Sequence, residues 1–365
     1  AVISALPKYF AGSERIGIAM TGGLDTRVIL ASHPPAPGSL PSYTFGGPFR
    51  ESRDVIVGRK IAGLSQQPHQ VIEVGKDFLA SFPSLAERTV AITEGTLDIS
   101  RADLYLSQRV RQVAPAKIVG TYGSEILRHA VMFKPDEPTQ ELFEPELLAN
   151  VQQAASTYTE FRQKQHPVTF AAFTQSPWYH HGILALEQSQ LTVRSPFLDN
   201  DFVRTVYRAP KDYASSGDIR LRLIKDGNPA LGRVRSDRGV GGEGNRLASI
   251  LGRAYQEFTF KAEYAYDYGM PQSVARADHL LSALRLERVF LGRHKLLHFR
   301  VWYRDQLADY VRQILLDPRT LARPYLKKKT VERIVDDHLK HGLNYTMPIH
   351  KLITLELLHR TFVDA

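Results

Sequence analysis

Residues 16–27 read Ile16-Gly17-Ile18-Ala19-Met20-Thr21-Gly22-Gly23-Leu24-Asp25-Thr26-Arg27, a short apolar strand running into a glycine turn and then a helix. Gly22 and Gly23 lack a Cβ, so the backbone can turn tightly and bring its N–H groups up to an anion. The helix that begins near Leu24 points its positive end at the same place, and the hydroxyls of Thr21 and Thr26 add donors. Asp25 is the discordant member, because a carboxylate beside a phosphate repels it unless a cation lies between. Magnesium held through one or two carboxylates plus phosphate oxygens resolves that conflict. The stretch therefore predicts a Mg-nucleotide site, with Thr21, Gly22, Gly23, Leu24, Asp25 and Thr26 as ligand-binding residues and Asp25 as a metal ligand.

The spacing matches neither G-x-x-x-x-G-K-[ST] nor G-x-G-x-x-G. Thr21 to Thr26 instead resembles the S-G-G-x-D-S loop of the ATP-pyrophosphatases, with Thr for Ser at both ends. In that superfamily the loop holds the pyrophosphate of an ATP cleaved between its α and β phosphates.

Around this loop the pattern alternates. Helix is expected over Ala1–Phe10, Asp25–Ser32 and Arg53–Leu64, and strand over Arg15–Met20, Ser42–Phe45 and Gln70–Val74, with Pro34 to Gly38 and Gly46-Gly47 as breaks. The order β-α-β-α-β argues for an α/β fold, a parallel doubly wound sheet with ligands at the carboxyl ends of its strands. Phe45, at such an end, is a further candidate nucleotide contact. Helices are then expected over Phe78–Ile92 and Ala102–Ala114, a strand over Lys117–Val119, and a mostly helical remainder. That remainder includes an exposed loop over Lys134–Pro145, amphipathic helices near Leu280–Phe290, Val301–Leu315 and Val331–Leu339, and a last helix over Ile349–Phe362. The glycine-rich run Gly239–Gly244 reads as a mobile loop, either a lid or a plain connector.

At Val119-Gly120-Thr121-Tyr122-Gly123-Ser124-Glu125-Ile126-Leu127 the chain resembles the asparagine synthetases, whose synthetase domain carries G-E-G-x-D-E-L there. Aligned on Gly123, Tyr122 stands where the family's first Glu stands, and Glu125 replaces the Asp that binds magnesium pyrophosphate. Such a tyrosine is a feature of the related β-lactam synthetases, which pair it with a glutamate as the base that closes an amide ring. Val193-Arg194-Ser195-Pro196-Phe197-Leu198-Asp199 is similar to the family's R-V-P-F-L-D, and Leu316 to Tyr325 with Val331 to His338 resembles its closing helices. The resemblance thus covers nearly the whole chain, with residues 1–130 as nucleotide-binding core and 131–365 as helical continuation of one synthetase domain. It implies the adenine nucleotide alpha hydrolase-like type of sheet, adenylation of a carboxylate with release of pyrophosphate, and acyl transfer to ammonia or an amine. The cofactors it implies are ATP and Mg²⁺. The chain departs from the family in lacking the preceding glutaminase domain, and in Asp237 of Arg235-Ser236-Asp237-Arg238-Gly239-Val240, which aligns with the transition-state lysine of R-x-K-x-G-F. Arg238 is the neighbouring candidate for that role.

The chemistry asks for charge neutralisation and positioning more than covalent help. It assigns Asp25 and Glu125 to the metal, Gly123 and the Thr21–Leu24 backbone to the nucleotide, and Arg238 to phosphate charge. Tyr122 is the candidate base for the attacking amine, and Glu187, the sole acidic residue between Glu160 and Asp199, is its candidate partner. Tyr122 also reads as a packing residue. Asp199 reads first as a helix cap. A metal at His180-His181 is disfavoured, because adjacent side chains on a helix point apart.

The 365 residues contain no cysteine, which excludes disulfides, thiolate metal sites and the N-terminal cysteine of many glutamine amidotransferases. Ammonia or an amine donor must therefore come by another route, a separate glutaminase domain or subunit being one such source. The start of the chain carries neither a helix start signal nor a secretory signal, so it is expected to begin mid-protein and a cytoplasmic setting is the default. No apolar run is long enough for a membrane span. The net charge is +9, and residues 204–253 hold 11 Lys/Arg against 5 Asp/Glu, a basic segment facing ATP, an acidic substrate, a partner chain or nucleic acid. A tRNA-modifying ATP-pyrophosphatase suits that charge, but residues 196–199 and the C-terminal helices do not resemble those families. A non-catalytic nucleotide-binding homologue is the third reading, and self-association or a partner chain stays open.

Overall fold

The computed structural model describes residues 1–135, 141–210, 213, 219–241, 246–280, 287 and 290–364. Its centre is a five-stranded, all-parallel sheet in the order β3-β2-β1-β4-β5, formed by β1 (Ile16–Ala19), β2 (Ser42–Gly46), β3 (His69–Glu73), β4 (Ala116–Ile118) and β5 (Thr192–Arg194). The register pairs Ile18 with Ser42 on one side of β1 and with Ile118 on the other. Helices α1 (Val2–Phe10), α2 (Asp25–Ser32), α3 (Arg53–Leu64), α4 (Lys76–Thr93), α5 (Asp103–Val113) and α6 (Gly123–Arg128) alternate with the strands. Parallel strands need crossovers and bury both faces, which is why β1 is nearly all apolar.

The two faces carry two cores. Ile16, Ile18 and Met20 of the first strand pack with Val28 and Ile29 of α2 and Val57 and Ile61 of α3. Tyr43 of β2 faces the larger cluster, which takes in Phe78 and Phe82 of α4, Tyr105 of α5 and, from the far end of the chain, Phe299, Trp302, Ile349 and Leu352. The C-terminal helices therefore complete the core of the sheet.

The expected helices α2 and α3 have the bounds read from the sequence. Three expectations need correction. β5 lies inside the stretch read only as a family motif, because three residues paired to β4 are too few for any periodicity to mark. The single helix expected over Val301–Leu315 is two, Phe299–Arg304 and Ala308–Leu315, broken where Leu307 N–H returns to the carbonyl of Trp302. The Lys134–Pro145 segment is not wholly loop, since Phe143 forms an antiparallel bridge with Leu326. Most of Leu280–Phe290, and Gly242 to Gly244 of the expected lid, lie outside the described residues. No helix among the described residues is long and apolar enough to cross a membrane.

Candidate functional site

The order of the sheet reverses between β1 and β4, and the turns after these two strands lie together at the carboxyl edge, where doubly wound sheets bind ligands. The first turn is the Thr21–Leu24 loop. Leu24 occupies the N-cap of α2 and makes no side-chain cap. The loop is held from behind. Gly22 O accepts from Arg27 Nη2 at 3.3 Å and from Asp237 N at 3.2 Å. The same Arg27, only 1% exposed, donates to the carbonyls of Leu231 and Val234. Burial lowers the Arg27 pKa to about 10, against the opposing pull of Asp237. Gly23 N donates to Thr21 Oγ1 at 3.3 Å, and Gly22 N donates to Asp54 Oδ1 at 2.9 Å. Asp54 was not singled out from the sequence, where it reads as an acidic residue in the first turn of α3. Burial, with Asp237 adding repulsion, lifts its carboxyl to about 6.

The second turn follows β4 and closes on Asp25. A Cβ on Gly120 would lie 2.9 Å from Asp25 Cβ and Thr26 N, and one on Gly123 would lie 2.8 Å from Asp25 Cγ, so only glycine admits this approach. Ser124 Oγ donates to Asp25 Oδ2 at 2.8 Å, and Arg220 Nη1 donates to Asp25 Oδ1 and to Ser124 Oγ, each at 2.9 Å. Ser124, rather than Glu125, is thus the residue of this turn that meets Asp25, and Arg220 is a cation that the sequence reading missed. Its signal was only membership of the basic segment.

Glu125 is turned inward. It is 4% exposed, and its Oε1 lies 2.7 Å from His180 Nε2. The His180 ring stacks on Tyr122 with centroids 4.2 Å apart, and its Nδ1 has no hydrogen-bond partner among the described residues. Tyr122 has a left-handed backbone (φ 70°), and its hydroxyl meets Ser176 Oγ at 2.8 Å. Burial raises the Tyr122 pKa and Glu125 adds to this, while the Ser176 hydrogen bond opposes it.

The expected Tyr122–Glu187 pair is not formed. Lys117 alternates along β4 with Ala116 and Ile118 and so points to the opposite face of the sheet from them, where its ammonium pairs with Glu187 at 2.6 Å. Burial pushes the Glu187 carboxyl up despite Lys117. Arg238 stands beside the loop through the Asp237–Gly22 contact, but its guanidinium lies on the Phe260 ring, 3.9 Å from the centroid. Asp199 is the cap expected, its Oδ1 accepting from the N–H groups of Asp201 and Phe202. His180, weighed from the sequence only as a metal ligand, meets instead a carboxylate 55 positions away, and only the fold brings the two together.

Asp25 and Ser124 thus meet beside the loop, and both Asp25 oxygens already accept hydrogen bonds, one from Arg220 and one from Ser124. Among the described residues no three His, Cys, Asp or Glu side chains converge on one metal, an arrangement that a Mg-phosphate site does not require. No protein-family model matches the chain, and no curated protein matches it.

Proposed function

We propose that the chain is an ATP-dependent amide-forming ligase, which adenylates a carboxylate, releases pyrophosphate and passes the acyl group to ammonia or an amine. The observation that carries this reading is the meeting of two turns at the reversal point of the sheet, where the start of α2 lies beside Asp25, Ser124 and Arg220. A polyphosphate matches the N–H groups at the start of α2 and the guanidinium of Arg220. Asp25 would hold Mg²⁺, with Glu125 joining if it leaves His180, and the ion would supply charge neutralisation at the α phosphate. Arg238, next to the loop, is the cation for developing phosphate charge once it leaves Phe260. Tyr122 enters this reading with Ser176 beside its hydroxyl.

Calorimetry with Mg-ATP tests the binding step. The parent chain is expected to bind and Asp25→Asn to lose most of that affinity, whereas equal affinity overturns the assignment of Asp25. Pyrophosphate release with a pool of carboxylates then tests the reaction. Asp237 at the place of the family lysine favours a second reading, nucleotide binding without catalysis, which predicts binding and no pyrophosphate from any acid.

A further inference from the structure

A cavity of about 520 Å³ opens between Phe45, the start of α5 at Ser100–Asp103, Tyr264, Tyr268, Lys295 and Met347. It is linked to the nucleotide loop through a chain of contacts: Phe45 lies one residue before the end of β2, next to β1, and Tyr264 packs on Phe260 (ring centroids 4.4 Å apart), which carries Arg238, the neighbour of the Asp237 that donates to Gly22 O. The other cavities described, such as the one between Arg15, Pro68 and Arg109 beside β3, share no residue with these surroundings.

The lining sets the chemistry of an occupant. Its two cations are already neutralised. Arg101 makes two hydrogen bonds to Asp103, at 2.7 and 3.4 Å, and Lys295 is paired with the buried Asp267 while its ammonium lies 3.7 Å from the centroid of Tyr268. A charged group brought in would have to break one of these pairs at a desolvation cost. What remains on offer is mainly apolar surface from Phe45, Leu106, Leu297 and Met347, with the two tyrosine rings partly covered by Lys295 and Phe260 and with Ser100 and His294 as polar members of the lining. A neutral apolar body gains from burial there, whereas an amino acid such as aspartate would leave its ionic α-groups unmatched.

We infer that this cavity is the acyl-substrate pocket of the proposed ligase, and that the substrate is a carboxylic acid with a neutral, ring-sized apolar body, not a short amino acid. The inference rests on the ligase reading, with the body in the cavity and the carboxylate reaching towards the loop. The test is calorimetric binding of 3-phenylpropionate and of L-aspartate to the full chain with Mg²⁺ and α,β-methylene-ATP present. The aromatic acid is expected to bind about tenfold or more tightly than aspartate. Met347→Trp, which narrows the cavity, is expected to weaken 3-phenylpropionate by about tenfold or more, and Met347→Ala to leave it within about threefold; melting curves confirm that both variants fold. Aspartate binding as well or better, no binding of either acid, or indifference to Met347→Trp overturns the inference. The Mg-ATP affinity of the parent chain and of Asp25→Asn, measured separately, reports on the ligase reading itself.

Discussion

Asp54 accepts the Gly22 N–H on the flank of the loop, and its burial, with Asp237 close by, makes it a titrating group with a defined sign. Its folded pKa, about 6, lies above the ordinary 3.8, so between those values the folded state holds more protons than the unfolded one and stability falls as pH rises. Below about pH 4 and above about pH 6 the contribution is constant. Asp54→Asn should therefore gain on the parent chain across that window by at most ~3 kcal/mol, with no further change above it. Urea unfolding of both chains from pH 4 to 8 checks this, and a difference that does not vary with pH rules it out. Tyr122 gives the second prediction at this scale. Losing the buried hydroxyl in Tyr122→Phe should cost about 1 kcal/mol of stability through Ser176. If the tyrosine also serves the incoming amine, single-turnover kinetics should show unchanged pyrophosphate release and amide formation slowed by about 10²–10⁴-fold. Equal slowing of both steps, or of neither, leaves the residue with a packing role.

Helix α3 shows how one element is placed by close contact. A Cβ on Gly58 would lie 2.3 Å from Met20 O and 2.4 Å from Thr44 Oγ1, while one on Gly63 would meet nothing within 4 Å. Alanine is the better helix former by about 1 kcal/mol in both places. Gly63→Ala should accordingly raise the melting temperature, and Gly58→Ala should lower it at a cost of about 1–3 kcal/mol, because the helix must move off the two strands. The same sign for both variants would mean that α3 does not sit this close to the sheet. The ion pair between β4 and the Ser176–Gln188 helix makes a second case. With Lys117 7% and Glu187 13% exposed, Glu187→Gln strands a buried ammonium and should destabilise on the order of 3 kcal/mol, and joint replacement by Met and Leu should recover most of that. Denaturant unfolding of the single and double variants measures it. A Glu187→Gln chain of undiminished stability but slowed amide formation would instead return Glu187 to the chemistry.

Across the whole molecule, the sequence determined what depends on near neighbours. The alternation of Ile16, Ile18 and Met20 around small residues, the helical spacing of apolar residues and the Pro and Gly breaks placed β1 to β4 and α1 to α5 within one or two residues, since backbone preference and periodicity act over a few positions. The glycine turn at residues 21–26 was legible for the same reason. The tertiary structure alone decided which groups meet. It brought Arg220 to Asp25 across 195 positions, gave Glu125 to His180 and Glu187 to Lys117, and added β5, whose three residues carry no pattern of their own. Buried charges take whichever opposite charge or donor the packed elements bring within about 3 Å. That choice is fixed by which face of a strand or helix each residue occupies once the sheet has closed, and no local spacing encodes it.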